Sequence, residues 1–428
     1  MKHGRNMRFT VSVALDSEEC TVEPLSRRNM LKAGGALGAL GALSIAAPAQ
    51  AQSKWTWSPS GSVAGAGAGV DPRLVWDDEA DPLVASLLDR GEAPLVNQLL
   101  RTWTRNGQPL PAGLPADVHQ FIERARQLPT WVDQGKLTTA VQFNEKRGLY
   151  LGVLYGLASG MMSTVIPQEA RAVYYSEGGA DMKDRIAKTA KLGYDIGTAN
   201  AYQPNGSMIV TAVKTRLAHA GVRHLLPQSP RWVGAAPEDI PISQRDMMIT
   251  WHSLPTTVMR ELNSWRVPIP TRESDAFLHL WQVAAHMLGI KDEYIPASWS
   301  EANSQATQVL DPILAPTPEG IALADILLGL GKEIDGGILS KPILGSFTRF
   351  LLGDQIANWL KIPRDLLWDT LLHTSWGPFI AVREALLPLP LAPECFWLFD
   401  EFLRKLALLF LSEGQQINIE IPLGNRPD

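Results

Sequence analysis

The amino-acid sequence predicts an all-α fold, and three observations support that prediction. After Asp71, most segments repeat apolar residues at spacings of three and four, the pattern of one helix face. Alternation of the strand type does not exceed a few residues before Gln415. Hydrophobic residues make up 45% of the 428-residue chain, which is ordinary for a globular protein with a sizeable core. We therefore predict a single helical domain from Asp71 to Gly414.

Residues 1–51 have the features of an export signal. Arg27 and Arg28 lie in SRRNMLK, which fits the twin-arginine pattern with Met30 where Phe is more usual. A mildly apolar run, Ala33 to Ala47, follows, and residues 49–51 read AQA, an A-x-A cleavage site. We expect the twin-arginine translocation machinery to export the folded chain, which makes the mature protein periplasmic or extracellular.

The N-terminal half reads as a linker followed by helices. Residues 52–70 are rich in Gly, Ser and Ala without periodicity, which predicts a flexible linker. The first helix is predicted at DPLVASLLDRG, capped by Asp81, with Pro82 at its first position and Gly91 at its end. Helices APLVNQLLRTW, ADVHQFIERARQL and TTAVQFNEKRGLYLGVLYGLASGMM follow. The last is apolar all round from Leu149 to Met162, as expected of a helix central to a core.

The central stretch, Asp184 to His224, predicts two helices joined by a turn. Arg185, Lys188 and Thr189 share one face of the first helix, while an apolar stripe and His219 lie on the second. The loop AYQPNGS between them contains Pro, Asn and Gly, which favours a turn that brings the helices back toward each other. A cationic cluster facing a histidine across a cavity would accommodate a haem.

The remaining segments predict loops and a tail. Residues 225–244 and 311–320 are interrupted by prolines and are predicted to be long surface loops. The tail, residues 415–428, contains the alternating stretch QQINIEIPLGN, which predicts either a short edge strand or an extended arm.

Charge and cysteine content exclude several classes of protein. The net charge of −5 and the pI near 6.0 give no basic field, so we expect no nucleic-acid partner. Cys20 lies in the export segment, so Cys395 is left without an intramolecular partner. No Cys-x-x-Cys-His motif is present, which excludes a covalent c-type haem. No later stretch has about 18 uninterrupted apolar residues, so we expect no integral membrane segment in the mature chain, and we expect a monomer.

Three residues are candidates for chemistry, and each has an alternative interpretation. His219 is a candidate metal ligand or a satisfied core histidine, with His224 and His286 as competitors. Lys188 would bind iron only if burial among cations removed its proton; otherwise it is a solvated helical lysine. Glu169, just after Pro167 at a predicted helix start, is a candidate base or a helix-dipole partner.

Other catalytic patterns do not occur. The sequence has no H-E-x-x-H motif, no Glu-x-x-His pair of the di-iron type, no G-x-S-x-G elbow and no Walker loop. The Gly-rich stretch Gly65 to Gly69 follows no predicted strand. A serine hydrolase is therefore poorly supported.

Taken together, these motifs resemble the latex clearing proteins, a family of secreted haem b oxygenases that cleave rubber. The resemblance covers most of the chain from Leu149 to Pro363. It rests on the following residues and segments: Glu169, Arg185-x-x-Lys188-Thr189, His219, TWH at Thr250 to His252, HLWQVAAHMLGI at His279 to Ile290, and RFLLGDQIANWLKIP at Arg349 to Pro363.

The resemblance implies a globin-like helical core around haem, with additional helices, and a role for each matching residue. His219 matches the proximal iron ligand, and Lys188 matches a lysine that occupies the distal iron site in a closed state. Glu169 matches the proposed base that takes an allylic proton from the isoprene unit. The remaining candidates would hold the glutamate, the lysine or the haem propionates by hydrogen bonds: Arg185, Thr189, Thr250, His252 and Arg349.

The function implied by the resemblance is cleavage of the cis double bonds of poly(cis-1,4-isoprene) by a non-covalent haem b, with O2 as co-substrate. The products would be oligo-isoprenoids with aldehyde and ketone ends. Two alternatives stay open. One is a related haem oxygenase acting on a smaller apolar or terpenoid substrate, which activity on short isoprenoids would distinguish. The other is a non-catalytic secreted protein that binds haem or lipid, for which Glu169→Gln would abolish no turnover.

Overall fold

Helices form the regular structure of the part of the chain that is described, as the sequence predicted. The structure is a computed structural model that describes residues 54–236, 240–334 and 340–427. The chain divides into Met1–Lys54 and Trp55–Asp428, and the second unit contains the described helices. The predicted signal peptide lies outside the described residues. Within them no strand forms, and the only extended pairings are two isolated antiparallel bridges, Ser62 with Pro296 and Ser176 with Asn425.

Seventeen α-helices are present in these ranges. The first eight are α1 Ala80–Asp89, α2 Ala93–Leu100, α3 Ala116–Ala125, α4 Gln134–Val153, α5 Gly160–Ser163, α6 Pro167–Tyr175, α7 Met182–Asp195 and α8 Met208–Leu225. The others are α9 Pro230–Ala235, α10 Gln244–Trp251, α11 Thr257–Ser264, α12 Thr271–Met287, α13 Trp299–Val309, α14 Pro318–Ile334, α15 Lys341–Trp359, α16 Leu366–Leu386 and α17 Ala392–Ser412. Short 3-10 turns lie at Pro59–Gly61, Pro72–Leu74, Glu177–Gly179, Leu226–Gln228, Asp292–Tyr294 and Asp311–Ile313.

Helix α4 lies at the centre of the main core. It begins where the Asp133 side chain accepts hydrogen bonds from the backbone N–H groups of Gly135 and Lys136, an N-terminal cap. It packs against α12 on one side and α17 on another. The sequence predicted that the segment from Leu149 to Met162 would be central to the core. The segment is only partly buried, because Gly152 and Gly156 are exposed.

Two π-helical segments contact each other next to the core. The first, Leu154–Ser159, joins α4 to α5, and the second, His252–Thr256, joins α10 to α11. Pro255 lies inside the second segment and has no N–H to donate, which disfavours regular α-helical bonding there. The Ser159 hydroxyl donates to the Ser253 carbonyl at 2.6 Å. This contact fixes the end of α10, the helix that carries Thr250.

Three further sequence-based predictions need correction. Helix α1 begins at Ala80 and is capped by Asp77, which accepts from the Ala80 N–H at 3.0 Å; Asp81 does not cap it. Residues 55–63 are not a free linker, because Trp57 is buried and donates through Nε1 to Glu301 at 2.9 Å. The loop predicted at residues 225–244 contains α9, with Trp232 buried.

The tail is the extended arm, one of the two predicted forms. Asn97 exchanges two hydrogen bonds with the backbone of Ile421, at 2.8 and 2.9 Å. Pro422 contacts α8 so closely that a Cβ at Gly221 would lie 2.7 Å from its ring. The arm therefore packs on α2 and α8 instead of adding a strand.

No single helix among the described residues has both the length and the apolar composition needed to cross a membrane. Two bent pairs, Gln134–Ser163 with Pro167–Tyr175 and Trp299–Ile313 with Pro318–Gly331, meet that requirement only when their members are combined.

Candidate active site

Glu169, Arg185 and His219, which lie on α6, α7 and α8, are linked through the charge of Arg185, which acts on both of the other groups. Helix α7 packs against α8, as the turn at residues 201–207 predicted. Asn106 holds that turn, since its side chain donates to the Ala201 carbonyl at 2.8 Å and accepts from the Ile209 N–H at 3.0 Å. Burial causes the largest shift in the pKa of both Glu169 and His219, and the positive charge of Arg185 makes a smaller, lowering contribution to each.

Glu169 is a carboxyl group poised near neutral pH. It lies in the first turn of α6, which begins at Pro167 as the sequence predicted. Burial raises its pKa from 4.5 to about 7, and the nearby charge of Asp246 adds to the rise. The hydrogen bond from Thr250 and the charge of Arg185 act in the opposite direction. A carboxyl group with this pKa can accept and release a proton at neutral pH.

Thr250 can form a hydrogen bond with Glu169 whether the carboxyl group is ionised or protonated. Its Oγ1 lies 3.2 Å from Glu169 Oε2 and 3.2 Å from the backbone carbonyl oxygen of Asp246. A hydroxyl has one hydrogen, so it donates either to the ionised carboxylate or to the carbonyl. When Glu169 is protonated, the carboxylic acid can donate to Oγ1 while the threonine hydrogen turns to the carbonyl.

His219 has the properties of an imidazole that is available to bind a metal. Its Nδ1 is buried and has no hydrogen-bond partner in the described ranges. Burial lowers its pKa from 6.5 to about 3, with smaller contributions from Arg223 and Arg185, against the effect of Asp77. The imidazole is therefore neutral at physiological pH, the form that binds metals.

The helix around His219 is held by α1 and its cap. Arg216 Nη2 lies 2.8 Å from Asp77 Oδ1, and Arg223 Nε lies 2.7 Å from Asp81 Oδ1. Glycine at position 289 leaves room for the Arg216–Asp77 pair, because a Cβ there would lie 2.8 Å from Arg216 Nε. Its φ of +91° also favours glycine. These two ion pairs fix the rotation of α8 and hence the direction of the His219 ring.

The competing histidines are paired with carboxylates. His224 Nε2 lies 3.5 Å from Asp89 Oδ1, and His286 Nδ1 lies 2.6 Å from Asp292 Oδ1. Their positions favour His219 as the candidate ligand.

The side chains of Lys188 and Thr189 bind groups of their own helix, α7, in this structure. Lys188 Nζ lies 2.6 Å from Asp184 Oδ2, one helical turn earlier, with about a third of its side chain exposed (35%). The Thr189 hydroxyl is exposed and donates to the Arg185 carbonyl at 3.2 Å. Their predicted roles at the iron site stay predictions.

His252 and Arg349 are buried but committed to other partners. His252 Nε2 lies 2.8 Å from Gln305 Oε1 and its Nδ1 lies 2.9 Å from Thr256 Oγ1, which favours a structural role. Arg349 donates to Asp354 at 2.8 Å and to the Ile362 carbonyl at 2.8 Å, across a kink in α15 at Gly353. His252 stabilises the π-helical segment in which it lies, and Arg349 stabilises the kink at Gly353. Their predicted haem contacts stay predictions.

The sequence did not single out Asp77 or Asp246, and it indicated Asp81 only as a helix cap. Asp246 lies four residues before Thr250, so helical spacing places both on one face of α10 and could have indicated it. Asp77 and Asp81 lie more than 130 residues before their arginine partners, and no local pattern joins them.

Comparison with known proteins identifies the family. The family model described as "ER-bound oxygenase mpaB/B'/Rubber oxygenase, catalytic domain" matches residues 146–382. A rubber oxygenase from Streptomyces sp. (strain K30) is 57% identical over 407 residues, which are 95% of this chain and 100% of that protein. The chain belongs to the rubber oxygenase family.

A solved structure of a rubber oxygenase family member, latex clearing protein in the closed state, superimposes with a TM-score of 0.78 and 58% identity. The match covers 86% of this chain and 99% of that one. A model of the twin-arginine signal sequence matches residues 24–44, which confirms the predicted export route to the periplasm or beyond. The predictions of an all-α fold and of an oxygenase are likewise confirmed.

Proposed function

We propose that this chain is a haem b dioxygenase that cleaves the cis double bonds of poly(cis-1,4-isoprene) with O2, giving fragments with aldehyde and ketone ends. One observation carries the proposal: His219 is a neutral imidazole with a buried, unpaired nitrogen, and it is close enough to Arg185 to be affected by the same charge that acts on Glu169. The 57% identity to a rubber oxygenase supports the substrate and the reaction.

The residues present fit a non-covalent haem. His219 would hold the iron through its imidazole, and the buried guanidinium of Arg185 would hold a propionate or steady Glu169. When bound, the haem supplies O2 binding and electron transfer. Lys188 would reach the iron only after its ion pair with Asp184 breaks, so the lysine and the aspartate would act as the two partners of a switch.

Glu169 would take the allylic proton of the isoprene unit. Its pKa of about 7 leaves roughly half of the carboxyl groups ionised at pH 7 and gives each a stronger base than an exposed glutamate. Thr250 would steady the ionised form by donating to Oε2, then release that bond when the proton arrives.

Apolar clusters flank Glu169 on both sides along α6. Ile166 packs with Met162 and Ile249 in one cluster, and Ala172 packs with Leu226 and Trp232 in another. A hydrocarbon polymer has no hydrogen-bonding groups, so such surfaces and the exclusion of water must position it. The same surroundings raise the pKa of the carboxyl group.

Oxygen uptake with rubber latex tests the proposal. Glu169→Gln should keep the haem and lose about a hundredfold or more of the rate, the usual contribution of a general base. Glu261→Gln is the matched control, because Glu261 is another half-buried glutamate with a pKa raised by burial, on α11. Intact polymer after incubation with the haem-loaded wild-type protein would contradict the proposal.

A further inference from the structure

Helices α16 and α17 expose an extended apolar face. Leu366, Leu367 and Val382 of α16 have exposed fractions of 73%, 72% and 61%. Leu398 and Phe402 of α17 are each 61% exposed, and Leu391, in the turn between the helices, is 69% exposed. We name the exposed side chains of residues 366–409 the C-terminal apolar face. Apolar surface gathered in one place on a protein marks an interaction site.

Charges on these two helices point inward. Arg383 of α16 and Asp400 of α17 are both buried and form an ion pair at 2.5 Å. Glu384 lies 3.4 Å from Arg147 of α4. Among the exposed residues from 366 to 409, only Glu394 and Lys405 carry a formal charge. This distribution is the reverse of an ordinary surface helix, which directs its charges toward water.

Two hydroxyl groups on the face are satisfied within their own helix. Thr374 Oγ1 donates to the Thr370 carbonyl at 2.9 Å, and Ser375 Oγ donates to the Leu371 carbonyl at 2.6 Å. Burial of these two hydroxyl groups against an apolar partner would therefore leave neither of them without an acceptor.

One helix of the face also contacts a helix of the candidate active site. Helix α17 packs along α7, the helix of Arg185 and Lys188. Lys183 of α7 lies 4.4 Å from the ring centroid of Phe410 and 2.7 Å from Glu413 Oε1. The C-terminal apolar face and the candidate active site are therefore joined through direct packing of α17 on α7.

We propose that the C-terminal apolar face docks the enzyme on the hydrocarbon surface of a polyisoprene particle. The inference rests on the proposed function, because an insoluble polymer can be attacked only where the enzyme meets its surface. The distribution of charge identifies the occupant: polyisoprene has no charges, and Glu394 and Lys405 are the only exposed formal charges on the face. Surfaces that bind lipid headgroups carry several Lys and Arg residues, and Lys405 is the one exposed cation between residues 366 and 409.

Adsorption to washed latex particles tests the docking surface. The variant L398Q/F402Q/L409Q replaces three apolar side chains of α17, each more than half exposed. The matched control L74Q/L95Q/L423Q replaces three leucines with exposed fractions of 70%, 49% and 51% outside the face. Protein that sediments with the particles is measured alongside turnover of latex and of a short, dispersed isoprenoid.

We expect the α17 variant to adsorb to latex at least about tenfold more weakly than the wild type, and the control variant to adsorb as strongly as the wild type. Its latex turnover should fall in parallel, and its turnover of the short isoprenoid should stay at the wild-type level, which also shows that it folds. The variant L366Q/L367Q/L371Q tests the same face from α16, should the first variant fail to fold.

Three results would overturn the proposal. One is unchanged latex adsorption in folded variants of both helices. Another is a wild-type dimer that the α17 substitutions dissociate without changing adsorption, which would assign the face to a second copy of the chain. The third is equally strong binding to phosphatidylcholine vesicles, which would assign it to a membrane. Adsorption is measured without turnover. A wild-type protein that adsorbs to latex but turns over neither latex nor the short isoprenoid would contradict the proposed function and still support docking.

The single exposed cysteine of the described residues gives an independent measurement. Cys395 lies on the face, at the start of α17. An environment-sensitive dye on Cys395, in a chain with C20S, should shift its emission to the blue on latex and stay unshifted with silica particles of the same size. An unshifted emission on latex would contradict the proposed orientation.

Discussion

Replacing Thr250 by valine tests the proton chemistry of Glu169. The substitution keeps the shape of the side chain and removes the hydroxyl that donates to Oε2 at 3.2 Å. A hydrogen bond to a charged group stabilises it by about 1.5 to 3 kcal/mol, and the length of this one and its competition with the Asp246 carbonyl place it at or below the lower limit. Since 1.36 kcal/mol corresponds to one pKa unit, the pKa of Glu169 should rise by about one unit.

The assay is the pH dependence of kcat/KM for latex cleavage. The base must be ionised, so the rate of the wild-type enzyme should rise with pH through about 7. In Thr250→Val this rise should move about one unit higher, which lowers the rate at pH 7 about fivefold and restores it near pH 9. Thr250→Ser should return the profile toward that of the wild type.

Thr138→Val provides the control, because the Thr138 hydroxyl donates only to a carbonyl of its own helix, Gln134, at 2.9 Å. Two results would refute the assignment of Glu169 as a base whose pKa is lowered by the Thr250 hydrogen bond. One is a rise of kcat/KM at the same pH in Thr250→Val as in the wild type, and the other is an equal loss of rate at every pH.

Three further predictions concern stability and the state of Lys188. The pKa of Glu169 is raised from 4.5 to about 7 in the folded chain, so the folded state binds the proton more tightly and the free energy of unfolding falls as the pH rises between these values. Glu169→Gln should reduce this fall by about 2 kcal/mol, measured by denaturant titrations at pH 5 and pH 8. An unaltered pH dependence would contradict the burial of the carboxyl group. Asp400→Asn should lower the free energy of unfolding by about 3 to 5 kcal/mol, because it leaves the buried Arg383 charge without its partner, whereas Asp325→Asn, at an exposed pair with Lys341, should change it by less than about 1 kcal/mol. Asp184→Asn should free Lys188 and increase the low-spin fraction of the haem-loaded protein in its visible spectrum; an unchanged spin state would argue against Lys188 as the second ligand.

The sequence predicted the features that depend on local spacing. Apolar residues three and four apart located the helices, and Val210, Val213 and Leu217 are buried on α8 as that pattern required. Pro167 placed the start of α6 and hence Glu169 in its first turn. His219 was identified from the same stripe, together with the resemblance to a known family.

Features that depend on distant partners were missed or misplaced. Residues 55–63 look like a linker because nothing near them in sequence shows that Trp57 reaches Glu301 and Gln308. Asp81 resembles a cap, yet the carboxylate of Asp77 is closer to the free N–H groups, and Asp81 pairs with Arg223 of α8. His252 was chosen by motif, and only the fold shows that Gln305 and Thr256 occupy both of its nitrogens.

The visible absorption spectrum of the purified, haem-supplied protein, recorded for the wild type, His219→Ala and His224→Ala, tests the central claim most directly. The neutral and unpaired imidazole of His219 predicts a Soret band that survives dialysis in the wild type and in His224→Ala and is lost in His219→Ala. A colourless wild-type protein, or an identical Soret band in His219→Ala, would contradict it.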